Sequence, residues 1–209
     1  MKVLGMMKLG VILAIFAAAA CVMLAFVYSG TSAIIKQRQQ ADLEAALKEL
    51  FPDTDDFQLI EGIKSPNTAI TIESAYSAVK NGKIIGAALT LSCASYSGKI
   101  KTMVGVSAEN FITGVKILEH SDTPGLGANA ASPSYFVDRS KGITFYGQFA
   151  GKKVSDPFEV KKDVVAITAS TITSRAVSNS VKAAGLAFSA WFSGEEPDAV
   201  SSATEGEEE

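Results

Sequence analysis

Histidine occurs once in the 209 residues, tryptophan once and cysteine twice. The lone His120 has no partners at metal-ligand spacing, so a metal centre is excluded as an expectation. Cys21 lies inside an apolar run and Cys93 inside a strand-like run, which leaves no disulfide framework. No stripe of basic and aromatic residues points to nucleic acid. Charge of one sign is also missing over most of the chain. The net charge of -3 comes from the end, where residues 194–209, "GEEPDAVSSATEGEEE", hold seven acids and no base. The remainder is slightly basic, and the acidic stretch reads as a solvated, disordered tail.

Charge is wholly absent from Leu9 to Tyr28, "LGVILAIFAAAACVMLAFVY". About 20 apolar residues cross a bilayer. Lys2 and Lys8 precede the run as they would in a signal peptide, whose apolar region is shorter and closes on a small-x-small cleavage site. Here the run continues past "AAAAC" through Phe26 and Val27, which also argues against Cys21 as a lipoprotein cysteine. The expectation is a retained single span over 9–28 after a short cytoplasmic segment, 1–8. Lys2 and Lys8 nearly balance Lys36 and Arg38, so charge alone does not orient it. The rest of the chain, roughly 150 residues, suffices for one globular core.

Beyond the span, Ser32 to Leu50 reads as a helix with Leu43, Ala46, Leu47 and Leu50 on one face. The expected juxtamembrane segment is 29–50, closed by the turn "FPDTDDF". Two strand-like runs flank Asn81-Gly82, a hairpin signal. A second hairpin turns near Glu109-Asn110 and returns over Phe111 to Leu118. The segment from His120 to Gly142 is rich in Gly, Pro and Ser, and loops of that length are often functional. "GITFYGQFAGKKV" and "PFEVKKDVVAITAS" read as further strand or edge segments. A last helix, about Ser174 to Phe192, places Val177, Val181, Ala184, Phe188 and Trp191 on one face. The fold class is α+β: one transmembrane helix, then a mostly antiparallel sheet packed by helices over 51–193.

"VVAITASTITSRAV", from Val164 to Val177, packs five hydroxyls into seven positions: Thr168, Ser170, Thr171, Thr173 and Ser174. Thr173 or Ser174 suits an N-cap, and the β-branched threonines suit a strand. The alternative is an anion site at a helix N-terminus with hydroxyls as added donors.

"AITASTITSRAV" resembles the flavinylation motif of the RnfG/NqrC family, close to D-A-I/V-S/T-G-A-T-x-T-S. "ILEHSDTPGLG" is similar to that family's second signature, E-T-P-G-L-G after a strand. The apolar N-terminal span and "SYSGKIKTMVGVSAENFITGVKILEH" match the family's organisation. The resemblance implies FMN bound covalently through its phosphate to Thr171, with Thr168, Ser170, Thr173 and Ser174 around it. Thr123, Gly125, Leu126 and Gly127 of the second motif would approach the flavin. Ala169 stands where the family has Gly, Ser170 where it has Ala, Val165 where it has the acid, and Asp122 where it has Glu.

The resemblance further implies a G subunit of an Rnf-type ion-translocating complex, relaying electrons without a substrate site or catalytic residue of its own. The shorter chain and single anchor suit that subunit better than the Nqr C subunit. Its partners would be the other Rnf subunits, a flavin transferase and the cytoplasmic membrane, with the FMN domain on the extracytoplasmic face. Alternatives are an assembly subunit without flavin and a stand-alone flavinylated electron carrier. A surface position is expected for His120, and Tyr96 with Gly98 fits a strand bulge or a ring-edge contact, the structural role being the favoured one.

Overall fold

A computed structural model describes residues 2–194; the acidic tail from Glu195 lies outside them. The chain divides into two units, one ending at Glu44 and one starting at Ala45.

Helix α1 (Lys2–Leu50) runs unbroken through the apolar stretch of the first unit and ends in the second. Every side chain from Gly5 to Thr31 is exposed, the apolar ones included. A helix apolar all round needs an apolar solvent, and Gly5–Leu50 is long and apolar enough to cross a membrane. Just past the apolar run, the Ser29 hydroxyl donates to the Phe26 carbonyl and the Thr31 hydroxyl to that of Val27, so the first polar side chains fold back onto the helix. The expected segments 9–28 and 29–50 are therefore parts of one helix.

The second unit is built on an antiparallel meander of five strands: β1 (Asp56–Leu59), β2 (Ile70–Lys80), β3 (Lys83–Ala94), β4 (Lys99–Ser107) and β5 (Ile112–His120). Both expected hairpins form. Asn81 and Gly82 take φ of 50° and 73°, the left-handed pair that a two-residue hairpin turn requires. Strand β1 begins within the predicted "FPDTDDF" turn, at Asp56, and was not expected. Helix α2 (Thr171–Ser193) covers one face of the sheet, with Val177, Val181, Ala184 and Phe188 fully buried against a core that includes Leu89, Leu91 and Val104. Gly194, at φ 74°, ends it.

The opposite face receives the last turn of α1. Ala46, Leu47, Leu50 and Phe51 are buried. A Cβ at Gly86 would come within 2.8 Å of the Phe51 ring, and one at Gly114 within 2.9 Å of Leu50. With Gly105 of β4, whose Cβ would lie 3.2 Å from the Phe51 ring, three successive strands lack side chains where this turn seats, and Glu49 pairs with Lys116 of β5 at 2.7 Å.

The stretch from 143 to 170 meets the expectation of an edge segment only where residues 151–154 hydrogen-bond with the chain at the start of β5, and departs from it elsewhere. β6 (Phe136–Asp138) pairs with β7 (Ile143–Thr144), a 3-10 turn spans Gly147–Phe149, and isolated bridges join Phe111 to Lys153 and Val160 to Val164. Their apolar residues look strand-like because Phe145, Phe149, Phe158, Val164 and Ile167 are buried anchors. Around Val165 and Phe158, side chains take the place of a partner strand in satisfying the backbone. Gln148 donates to the Val165 carbonyl and accepts its N–H, while the Asp163 carboxylate accepts the N–H groups of Phe158 and Glu159.

Candidate functional site

The hydroxyl-rich stretch is a bent loop entering α2. Ala169 takes φ 58°, a left-handed conformation that a side chain disfavours. The family motif places Gly here, which adopts it without penalty. We expect Ala169→Gly to stabilise the protein by about 1 kcal/mol. It would be read as a higher urea midpoint at unchanged slope; an unchanged or lower midpoint would refute the strain.

The helix begins at Thr171, earlier than predicted. Neither Thr173 nor Ser174 is its cap: Ser170 holds that position and makes no side-chain cap. The fully buried Ser174 hydroxyl instead accepts the Ile167 N–H at 2.9 Å and donates to the Ser170 carbonyl at 2.9 Å, locking the bend. Thr168 is exposed, and its N–H donates to the Tyr135 hydroxyl at 3.1 Å. As a result, the N–H groups of Thr171, Ile172 and Thr173 meet no acceptor among the described residues. Such a helix start suits an anion, through its free donors and the positive end of its dipole.

That helix start forms one wall of a cleft of about 390 Å³. Ala169, Ser170, Thr171, Ile172 and Thr173 line this side, and Thr123, Leu126 and Gly127 face it from the second motif. Tyr96 and Asp122 complete the lining. Six of the nine residues singled out from the sequence therefore meet in one place. Thr168, Ser174 and Gly125 do not line it. Gly125 takes φ 78° in the loop turn and its carbonyl accepts from Asn129.

Asp122 organises this cleft. It is buried and accepts hydrogen bonds from the Ser95 hydroxyl at 2.6 Å, the Ser97 N–H at 2.9 Å and the Thr173 hydroxyl at 2.8 Å. Burial works against its charge, but these three donors outweigh it and hold the carboxyl below the usual aspartate range. With the folded pKa depressed, its stabilisation is complete above the unfolded value of about 3.9 and lost as pH falls through the lower folded value. An Asp122→Asn protein should therefore lose less stability than the parent in that acidic window. Urea midpoints taken above and within it test this, and parallel losses in the two proteins would contradict it.

In the sequence Asp122 stands out only as a substitution for Glu, and nothing along the chain marks Ile172. Tyr96 sits in the turn between β3 and β4, not in a bulge. His120 is half-buried at the end of β5, its Nδ1 without a partner among the described residues, and does not line the cleft. No group of three His, Cys, Asp or Glu among the described residues is placed to hold a metal.

The class of protein is therefore a chain with a span-length apolar helix and a separate sheet-and-helix unit that carries a cleft of ligand size. The family model for the FMN-binding domain matches residues 95–185, which include the whole cleft, and that for the RnfG N-terminal region matches residues 1–50. The G subunit of the ion-translocating oxidoreductase complex of Shewanella piezotolerans is 33% identical over 200 residues, covering 88% of this chain and 90% of the relative. The corresponding G subunit of Methanosarcina acetivorans is 30% identical over 181 residues, covering 85% and 91%. The G subunit of the Na(+)-translocating ferredoxin:NAD(+) oxidoreductase complex of Acetobacterium woodii is 29% identical, covering 83% and 87%. Among solved structures, Shewanella oneidensis NqrC aligns at 19% identity and a TM-score of 0.42, covering 68% of this chain and 67% of that one. The chain belongs to the family of G subunits of Rnf-type ion-translocating oxidoreductase complexes.

Proposed function

We propose that this chain is the membrane-anchored flavoprotein subunit of an Rnf-type complex and carries FMN esterified through its phosphate to the Thr171 hydroxyl. The observation that carries the reading is the position of Thr171. It is the first residue of α2, half-exposed, on the cleft wall beside N–H groups that lack acceptors among the described residues. The cleft has the volume of a cofactor site, with an anion-binding end at the helix and apolar surface from Leu126 and Ile172. These features fit a ligand that is phosphate at one end and a flat ring system at the other.

FMN held there supplies reversible uptake of one or two electrons. The residues around it bind and orient. The Thr171 oxygen tethers the phosphate, and the helix start complements its charge. Thr173 is held by Asp122 in the lining, Ser170 adds a hydroxyl, and Thr123, Leu126 and Gly127 close the other side. In such a complex the subunit relays electrons between partner subunits. The span α1 would keep the carrier at the membrane, with the cleft-bearing unit on the extracytoplasmic face.

Co-expression of the full chain with a flavin transferase tests the reading. After denaturing electrophoresis, ultraviolet light should reveal a fluorescent band at the 21.9 kDa chain. A dark band would favour the subunit without flavin. Co-purification with other complex subunits separates the relay from a stand-alone carrier.

A further inference from the structure

Tyr96 is 72% exposed although it lines the cleft. It lies in the turn from β3 to β4, which already closes through the Ser95 N–H to the Gly98 carbonyl at 2.6 Å. Closing such a turn requires neither a large aromatic side chain nor further anchoring. Yet the residues on both sides of Tyr96 are tied to Asp122, Ser95 through its hydroxyl at 2.6 Å and Ser97 through its N–H at 2.9 Å. The same carboxylate holds Thr173 on α2 and directly precedes Thr123, so it joins three segments that line the cleft. A buried carboxylate must have its charge satisfied, and here the donors satisfying it also fix where the Tyr96 backbone stands.

Two further large apolar side chains at the cleft are exposed, Leu126 at 41% and Ile172 at 53%. Three exposed apolar groups from three segments thus converge on one cleft. Scattered surface apolar residues are ordinary, but a convergent set marks a ligand or partner surface. A flat aromatic ligand matches the set, since an aromatic side chain gains from an offset or edge-on ring contact beyond the area it covers.

We propose that Tyr96 is a ring-contact wall of the flavin site and that Asp122 is the positioning residue that aims it. The proposal rests on the flavin reading above and assigns the residue that meets the ring rather than the phosphate. Because Tyr96 packs into no core, its replacement leaves the fold intact, and the variants report on the ligand.

The experiment uses the flavinylated full chain in detergent and reads attachment and ring environment separately. Fluorescence per mole after denaturing electrophoresis reports attachment alone. Native flavin emission and visible circular dichroism report ring contact, since a phenol against a flavin quenches its emission and a fixed asymmetric neighbour induces dichroism. Tyr96→Ala should match the parent on the denaturing gel, while native emission rises severalfold and the dichroism collapses. Tyr96→Phe should keep the dichroism and lose most of the quenching. Asp122→Ala should move both native signals in the direction of Tyr96→Ala. Asp122→Asn, which keeps an acceptor for the Ser97 N–H, should restore them. Native signals of Tyr96→Ala equal to the parent's, with attachment intact, would overturn the ring-contact role, including the case where Tyr96 meets a partner subunit instead. Parent-like signals from Asp122→Ala would overturn the positioning role. A parent without fluorescence on the denaturing gel would remove the flavin reading itself, a failure distinct from both.

Discussion

Thr171→Ala should yield a chain that is dark under ultraviolet light after denaturing electrophoresis, while Thr168→Ala and Ser170→Ala remain fluorescent. A hydroxyl that becomes an ester must be accessible and uncommitted. Of the five clustered hydroxyls, those of Thr173 and Ser174 are buried and bonded, the first to Asp122 and the second to the Ser170 carbonyl. Thr168 is exposed but does not line the cleft. Ser170 and Thr171 remain, both on the cleft and without a hydroxyl partner among the described residues. Ser170 is only 8% exposed, whereas Thr171 is the more open of the two and begins the helix. The family motif makes the same choice. As Thr171 makes no side-chain hydrogen bond among the described residues, its removal should alter stability by no more than about 0.5 kcal/mol. Loss of the band would therefore report lost attachment rather than unfolding. A fluorescent Thr171→Ala chain would move the ester elsewhere, with Ser170 the next hydroxyl to replace.

Gly127→Ala should destabilise the protein by about 1–3 kcal/mol, the range for forcing extra atoms into packed space. A Cβ there would stand 2.6 Å from the Thr173 hydroxyl oxygen, 2.7 Å from the Asp122 Cβ and 2.8 Å from its carboxylate oxygen. These atoms are joined by the bond that links the second motif to α2, so none can retreat without breaking it. Separating them would leave a buried carboxylate short of a donor. Gly125→Ala is the control. No heavy atom lies within 4 Å of a Cβ there, and only the left-handed φ of 78° opposes the substitution, a strain of about 1 kcal/mol. Urea unfolding of the two variants would order them, Gly127→Ala with the lower midpoint and the weaker flavin labelling. Equal midpoints would mean that Gly127 serves its backbone conformation rather than close packing.

The elements that could be read from the chain are those whose cause is local. The span needed only an uninterrupted apolar stretch, the first hairpin needed Asn81-Gly82, and the inner face of α2 needed apolar residues at helical spacing. Val164, Ile167 and their neighbours misled because β-branched and aromatic residues anchor an irregular loop as readily as they build a strand. The distinction lies with distant side chains such as Gln148 and Asp163, which supply the backbone's hydrogen bonds. The capping assignment failed for a similar reason, since the left-handed turn at Ala169 starts the helix earlier and Ser174 serves the bend.

By itself the sequence determined the span, the α+β class and the motif pair, and through its resemblance to a family it pointed to Thr171 as the proposed attachment site. Only the tertiary structure decided which hydroxyls remain free, that Asp122 joins the segments around the cleft, and that Tyr96 stands exposed beside it. Spacing along the chain carries local geometry, but it cannot show that Ser95, Asp122 and Thr173, separated by 27 and 51 residues, share one carboxylate. That meeting is set by the register of β3, β4 and β5 and the docking of α2, whose many weak contacts act together only once the chain has folded.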